Sequence, residues 1–350
     1  MKGNSSGAPE IYERIITHHD FDGMVSASIC AWALKIGRVL FAGPLTINRS
    51  QITITEKDVV CDLPYPLQCG LWFDHHEGNL QELEYRKINP QTIAGRFDLK
   101  PSCSRVVYEY FSGRVAVPSY FLEAVEEADV IDGFFYSSIE DWRRETPGRI
   151  IDLTLKVRFQ SAEDQAAHMR NLVRELRGRP IKEVSTLDFV QKRLRQYREE
   201  EGRMLKVIQD ASYFLGQDGQ KEIVVVDLTP YQRRPHLIKN LALLLYPEAL
   251  GVLEVYNLMS PGGAKSNNLG LSMSLSINGN RPGIGKNIGE IMRSFNIGDG
   301  HPGAAAGQIR CRSKQEMLKK KKEILSQIFK LWSAQSTGGK GKGKDLLQTP

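Results

Sequence analysis

Three short stretches in the first third of the chain carry carboxylates and imidazoles at spacings suited to divalent cations. His18-His19-Asp20-Phe21-Asp22-Gly23 follows the apolar Arg14-Ile-Ile-Thr. Asp62 follows Asp58-Val-Val-Cys, and Asp74-His75-His76-Glu77 closes the run Leu71-Trp-Phe. In an extended chain alternate residues point the same way, so His18, Asp20 and Asp22 line one side of a pocket before a helix begins. Carboxylate oxygens with some imidazole suit manganese or magnesium, and the lack of thiolate ligands argues against structural zinc. Clustered carboxylates also repel one another unless cations lie among them. Each stretch has a plainer reading by itself. Asp20 or Asp22 would cap the following helix, Asp62 would make a turn, and His75-His76 would be a surface pair. The weight lies in all three occurring in order, each after an apolar strand.

The elements that must position these residues alternate in type. Ile11 to Thr17 reads as a buried strand, Met24 to Ile36 as a helix stopped by Gly37, and Val39 to Ala42, Asp58 to Cys61 and Gly70 to Phe73 as further strands. Helices are expected at about Ser104 to Phe111 and Tyr120 to Ala128. Strands alternating with helices predict an α/β fold with a mainly parallel N-terminal sheet flanked by helices. Ligands in such sheets bind outside the carboxyl ends of the strands, which is where all three stretches fall. From Pro180 to Leu215 a charged helical pattern places Leu187, Val190, Leu194 and Tyr197 on one face, with Gly202 as a potential kink. A smaller C-terminal α/β domain follows: strands at Glu222 to Val226, Gly251 to Tyr256 and Leu269 to Ile277, and helices around Leu237 to Tyr246, Ile288 to Phe295 and up to Trp332. The expected organisation is a catalytic domain over 10–180, a helical connector over 181–215, a substrate-binding domain over 216–335 and a low-complexity tail over 336–350.

These motifs resemble the DHH phosphoesterase superfamily, whose signature stands here as Asp74-His75-His76. That superfamily includes RecJ-like exonucleases, nano-RNases, nucleotide phosphatases, cyclic dinucleotide phosphodiesterases, exopolyphosphatases and family II pyrophosphatases. His18-x-Asp20-x-Asp22-Gly23 is similar to the form found in its nano-RNase-like branch, and Asp62 stands for the second motif. A downstream aspartate completes the set. Asp129 and Asp132 both qualify, and Asp129, which follows Ala128, is preferred. The resemblance implies one cation on His18, Asp20 and Asp62, and a second on Asp22, Asp62, His75 and Asp129. Asp74 would orient a histidine, and His76 would face the phosphate as donor or acid.

A second motif, Gly298-Asp299-Gly300-His301-Pro302-Gly303-Ala304-Ala305-Ala306-Gly307, resembles the glycine- and histidine-bearing loop of the superfamily's C-terminal domain. It differs by Asp299 in place of glycine and by one added alanine. The resemblance implies substrate contacts from Gly300, His301 and Gly303. The arginine often found in the preceding strand is absent from Leu271–Ser276, so Arg281 or Arg310 is the expected substitute, with Arg310 preferred.

The activity implied is hydrolysis of phosphodiester or phosphomonoester bonds in short oligonucleotides or small nucleotides, by water activated between two divalent cations. Manganese is the expected metal, with magnesium or cobalt as alternatives. Polyphosphate is a further candidate substrate, and a non-catalytic nucleotide-binding protein is the rival class. A homodimer is compatible with the resemblance.

Composition sets outer bounds. The net charge of +6 rests on Lys319 to Lys322 and on Lys340, Lys342 and Lys344, without which the chain is close to neutral. A dedicated nucleic-acid arm is therefore not indicated. Five scattered cysteines form no Cys-x-x-Cys pair. The N-terminus lacks a signal-peptide core, and no apolar run approaches the roughly 20 residues that span a bilayer. A cytoplasmic location is the natural expectation.

Overall fold

The computed structural model describes residues 12–335 apart from Pro261, Pro282, His301 and the side chain of Asp299. It divides into two compact units, with the boundary at Glu200/Glu201 and Ser137–Ile139 counted with the second.

The first unit is built on a five-stranded sheet: β1 (Arg14–Thr17), β2 (Val39–Phe41), β3 (Asp58–Cys61), β4 (Leu71–Asp74) and β5 (Gly95–Phe97). Its order is β2-β1-β3-β4-β5, and every pairing is parallel. The strand residues are apolar at successive positions because both faces are covered. Ile15, Val59, Cys61 and Phe73 enter one core, while Ile16, Val60 and Trp72 enter another with Leu63 and Leu83. Helices of this unit and its margins are α1 (Phe21–Leu34), α2 (Pro44–Asn48), α3 (Glu77–Tyr85), α4 (Cys103–Ser112), α5 (Tyr120–Asp132), α6 (Ile139–Arg143), α7 (Pro147–Leu155), α8 (Ala162–Leu176) and α9 (Ile181–Ser185). Helix α10 (Asp188–Ala211) runs through the boundary between the units.

The chain turns to opposite sides of β1 to reach β2 and β3. Open parallel sheets place their crevice at such a reversal, outside the carboxyl ends of the strands. His18 and Asp20 leave β1 there, and Asp62 leaves the neighbouring β3.

The second unit carries a six-stranded mixed sheet: β6 (Ser212–Tyr213), β7 (Ile223–Asp227), β8 (Gly251–Met259), β9 (Lys265–Leu275), β10 (Gly298–Gly300) and β11 (Ala304–Ile309). Its order is β10-β11-β9-β8-β7-β6, with β7 and β8 parallel and the rest antiparallel. Its remaining helices are α11 (Ala242–Leu245), α12 (Ile288–Ser294) and α13 (Lys314–Ala334). Alternation along β8 and β9 sends Leu253, Val255, Leu271 and Met273 into one core with Ile291, Ile328 and Trp332.

Several local expectations change. Helix α1 ends at Lys35 in the left-handed conformation (φ 58°), before Gly37 is reached. The helix expected over Leu237 to Tyr246 is a 3₁₀ turn (Lys239–Leu241) followed by the four-residue α11, cut short by Pro247. The Gly/Ala-rich segment forms the β10–β11 hairpin, and α6 to α8 fill a stretch that the sequence reading left without elements. No described helix is long and apolar enough to cross a membrane.

Candidate metal centre

The carboxyl ends of β1, β3 and β4 and the last turn of α5 bring acids and imidazoles together in the first unit. Three overlapping triads form: His18, Asp20 and Asp62; Asp62, His75 and His76; and Asp22, His75 and Asp132. Within each, the candidate ligand atoms lie within 4.8 Å of one another.

Asp62 belongs to two of them and His75 to two, so the three form a chain. Asp62 is buried, and its backbone is left-handed (φ 58°). For a residue other than glycine that conformation costs roughly 1–2 kcal/mol, though aspartate tolerates it better than most. Asp62 Oδ2 lies 3.6 Å from His18 Nδ1, and Oδ1 lies 3.6 Å from His75 Nε2. Burial, reinforced by Asp20, Asp22, Asp132 and Asp74, pushes the Asp62 carboxyl well above the usual range.

Asp20 has two tasks. One oxygen caps α1 by accepting from the Gly23 amide at 2.9 Å, and the other lies 2.5 Å from His18 Nδ1. The helix-cap reading therefore holds for this residue, and the same carboxylate stands in a triad that could hold a metal ion. Burial alone would raise the Asp20 carboxyl, but His18 draws it below its ordinary value. Gly23 is required by close approach, since a Cβ there would stand 2.3 Å from the His18 carbonyl oxygen.

Asp22 is anchored by the start of α4, its oxygens accepting from the Cys103 and Ser104 amides at 2.7 and 2.8 Å. Those amides are orphan donors of a helix terminus, a favourable environment for a carboxylate. Asp22 Oδ2 also lies 3.8 Å from His75 Nε2.

His75 donates through Nδ1 to the Lys100 carbonyl at 3.0 Å, which fixes the tautomer and leaves Nε2 as a lone pair. That Nε2 and Asp62 Oδ2 are both buried without a hydrogen-bond partner among the described residues. An unsatisfied imidazole lone pair aimed at crowded carboxylates fits a divalent cation and little else. The donor set, all oxygen and imidazole nitrogen, suits manganese or magnesium.

His76 takes its position from Asp74, with Nδ1 2.9 Å from Oδ1. Asn79 donates to the other Asp74 oxygen at 2.7 Å. Burial opposes charge on His76, but the hydrogen bond and charge of Asp74, together with the charges of Asp132 and Asp22, outweigh it and lift the imidazole to about 9.

The fourth-motif expectation requires correction, because Asp129 lies outside the cluster. Its carboxylate accepts from Arg105 Nε and Nη2 at 3.0 and 2.5 Å and from Ser102 Oγ at 2.6 Å. Asp132, one helical turn later, lies instead 3.4 Å from His75 Nε2. Burial, with Asp22 and Asp20 next, pushes its carboxyl up to about 8. The rule that favoured Asp129, a preceding alanine, ignores the helical rotation that decides which aspartate faces the strands.

In the second unit Gly300 and Gly303 flank the β10–β11 hairpin; His301 lies outside the described residues. A Cβ on Gly300 would meet the Ala304 carbonyl oxygen at 2.4 Å, so hairpin packing alone demands glycine there. Arg310 is not brought to this loop. It follows β11 at the end opposite Gly303, and six extended residues separate the two by roughly 20 Å. The sequence reading missed Lys239, whose Nζ donates to Ser272 Oγ at 2.8 Å on the face of β9 turned away from the apolar core. Burial lowers its pKa. A lysine after Leu237-Ile238 carried no motif that would single it out.

No protein-family model and no curated protein matches this sequence. Solved structures do. A pGpG-specific phosphodiesterase, PggH from Vibrio cholerae, aligns with TM-score 0.65 and 23% identity over 91% of this chain and 99% of that one. Thermus thermophilus RecJ in complex with Mn2+ aligns with TM-score 0.52 and 13% identity over 93% of this chain and 52% of that one. A DHH domain from a member of the s1p family of ribosomal proteins gives TM-score 0.55 at 12% identity, over 94% and 88% of the two chains. The chain shares its fold with these structures, one of which is described as a DHH domain. In this chain Asp74-His75-His76 stands at the end of β4, where the candidate centre forms.

Proposed function

We propose that this chain is a divalent-cation-dependent phosphoesterase that hydrolyses short oligonucleotides or small nucleotides. The observation that carries the reading is the convergence of His18 and Asp20 on Asp62 and of Asp22, Asp132 and Asp62 on His75, with the His75 Nε2 lone pair and one Asp62 oxygen unsatisfied. His18, Asp20 and Asp62 would hold one cation and Asp22, Asp62, His75 and Asp132 a second, with Asp62 shared and manganese the favoured metal. Bound there, such cations supply Lewis acidity toward phosphoryl oxygens and acidify water.

The chain's own residues supply the rest. His76, kept protonated to about pH 9 through Asp74, presents a donor to a phosphoryl oxygen or to the leaving oxygen. Within the second unit by itself, Lys239 and the glycines of the β10–β11 hairpin are candidate anion contacts, in the region read as a substrate-binding domain over 216–335, with the catalytic domain read as 10–180. The pGpG specificity of the structurally similar Vibrio phosphodiesterase supports a nucleotide over polyphosphate.

The test is a panel of short RNA, pApA, a cyclic dinucleotide, 3′-phosphoadenosine 5′-phosphate and polyphosphate, with manganese, beside Asp62→Ala. Cleavage of a nucleotide substrate that is lost in the variant supports the reading. Turnover of polyphosphate alone moves the protein to exopolyphosphatase chemistry. Metal binding without any turnover sinks the enzymatic reading in favour of a binding protein.

A further inference from the structure

A second concave site lies in the first unit, away from the acidic centre. It is formed by the C-terminal end of α1, the start of β2 and one face of α8, and encloses about 470 Å³. That volume falls within the range typical of small-molecule pockets. Its floor is apolar: Ala31, Ile36 and Val173 are buried, and Val39 is half-buried. Its rim carries Arg170, Arg174 and Arg177, and no carboxylate is among the lining residues.

The three arginines stand at i, i+4 and i+7 of α8 and its cap, so they project on one side. A plainer account is that they are solvated cations with local partners. Arg170 does pair with Glu163, and Arg174 Nε lies 3.1 Å from Glu175. Arg177 reaches only to the Ile36 carbonyl, at 3.5 Å. Exposed pairs of this kind are worth at most about 1 kcal/mol, so exchanging them for an anion costs little. Three guanidinium groups over an apolar floor exceed what the α1 terminus needs for its carbonyls, and they suit a phosphate joined to a flat apolar group.

We propose that this pocket binds a nucleoside 5′-phosphate. The phosphate is held by Arg170, Arg174 and Arg177, and the base lies over Val39 and the arginine stems, with Ala31, Ile36 and Val173 closing the floor beneath. The site is distinct from the metal centre. Helix α1 has fourteen residues, about 21 Å, with Asp20 and Asp22 at its first turn and the pocket at its last. Ser28 Oγ lies 3.3 Å from the Val173 carbonyl, so α1 and α8 share a direct contact through which occupancy can reach the motif-bearing end.

The test is calorimetric titration of the full chain with GMP or AMP in the presence of EDTA, beside guanosine and inorganic phosphate. The expected result is tighter binding of the monophosphates than of either fragment. The double variant R170E/R174E should bind at least about tenfold more weakly, the loss of one to two charge-assisted contacts. Asp62→Asn should leave this binding unchanged, which separates it from the phosphoesterase site. Both arginine side chains are largely exposed, so the charge reversal spares the core; R170Q/R174Q, with an unchanged melting curve, provides the milder control. Affinity that is unaltered in both double variants, or equal for GMP and guanosine, overturns the proposal.

Discussion

The Nε2 of His75 lies 3.4 Å from Oδ2 of Asp132, while Asp129, one turn earlier on α5, is turned to Arg105. The two aspartates should therefore fail differently. Asp132→Ala is expected to cut manganese affinity and turnover by about 100-fold with little loss of stability. Asp129→Ala removes the partner of a largely buried guanidinium and should cost about 1–3 kcal/mol of stability. Metal titration and thermal melts of the pair decide it. Equal metal affinity in Asp132→Ala and wild type would remove Asp132 from the ligand set.

Crowding of the acids makes the metal-free protein sensitive to alkali. Asp62 is raised well above the ordinary range and Asp132 to about 8, burial leading both. A carboxyl with a raised folded pKa holds its proton more tightly in the folded chain. Its contribution is complete below the unfolded value near 4 and is lost as pH rises through the folded one. His76, raised to about 9, acts with the same sign. The Tm of EDTA-treated protein should fall between about pH 4 and about pH 9, and manganese should restore it with release of protons. A flat metal-free profile across that range would show that the acids do not crowd.

Much of this was legible in the sequence because strand ends are short-range features. An apolar run followed by Asp or His reads directly as β1, β3 and β4 with their candidate ligands, and parallel pairing puts those ends at one edge. Legibility failed where a long-range contact decides. Asp22 is fixed by amides of Cys103 and Ser104 that no local pattern announces. Asp132 rather than Asp129 faces His75 because of the rotation of α5. Gly303 and Arg310 look adjacent in sequence but are held apart by the length of β11.

Gly23 tests the geometry without touching a ligand. A Cβ there would stand 2.3 Å from the His18 carbonyl, and Thr17 Oγ1 donates to the Gly23 carbonyl at 2.9 Å. Gly23→Ala should therefore force the turn between β1 and α1 apart, at about 1–3 kcal/mol of stability. Displacing His18 and Asp20 together should lower turnover by about 100-fold. Full activity in a folded Gly23→Ala protein would mean that the turn yields without moving the site.

At the acid limb one contributing group is His168, which is buried, packed tilted against Phe159 and edge-on to Phe189, and 2.8 Å from Thr154 Oγ1. Burial, aided by Arg193, lowers its pKa from 6.5 to about 4. A depressed imidazole contributes stability above its unfolded value, and that contribution is lost as pH falls from about 6.5 through about 4. The loss is on the order of 3 kcal/mol. Denaturant midpoints for His168→Gln should be lower at neutral pH and vary less over that interval. A variant with the wild-type acid slope would place the effect elsewhere.

Asp74 holds the charge of His76, so replacing it should move a pH profile rather than remove a ligand. Burial favours the neutral ring, and the 2.9 Å bond to Asp74 with its charge, aided by Asp132 and Asp22, overrides it. In Asp74→Asn the amide accepts one hydrogen bond but brings no charge, so the His76 pKa should fall from about 9 toward or below its ordinary value of 6.5. If protonated His76 donates to the phosphate, the alkaline limb of kcat/KM should shift down by about 2 pH units while manganese affinity changes little. Nuclear magnetic resonance of the His76 ring gives the pKa independently of turnover. A shifted ring pKa with an unshifted rate profile would exclude His76 as the donor while leaving the metal centre intact.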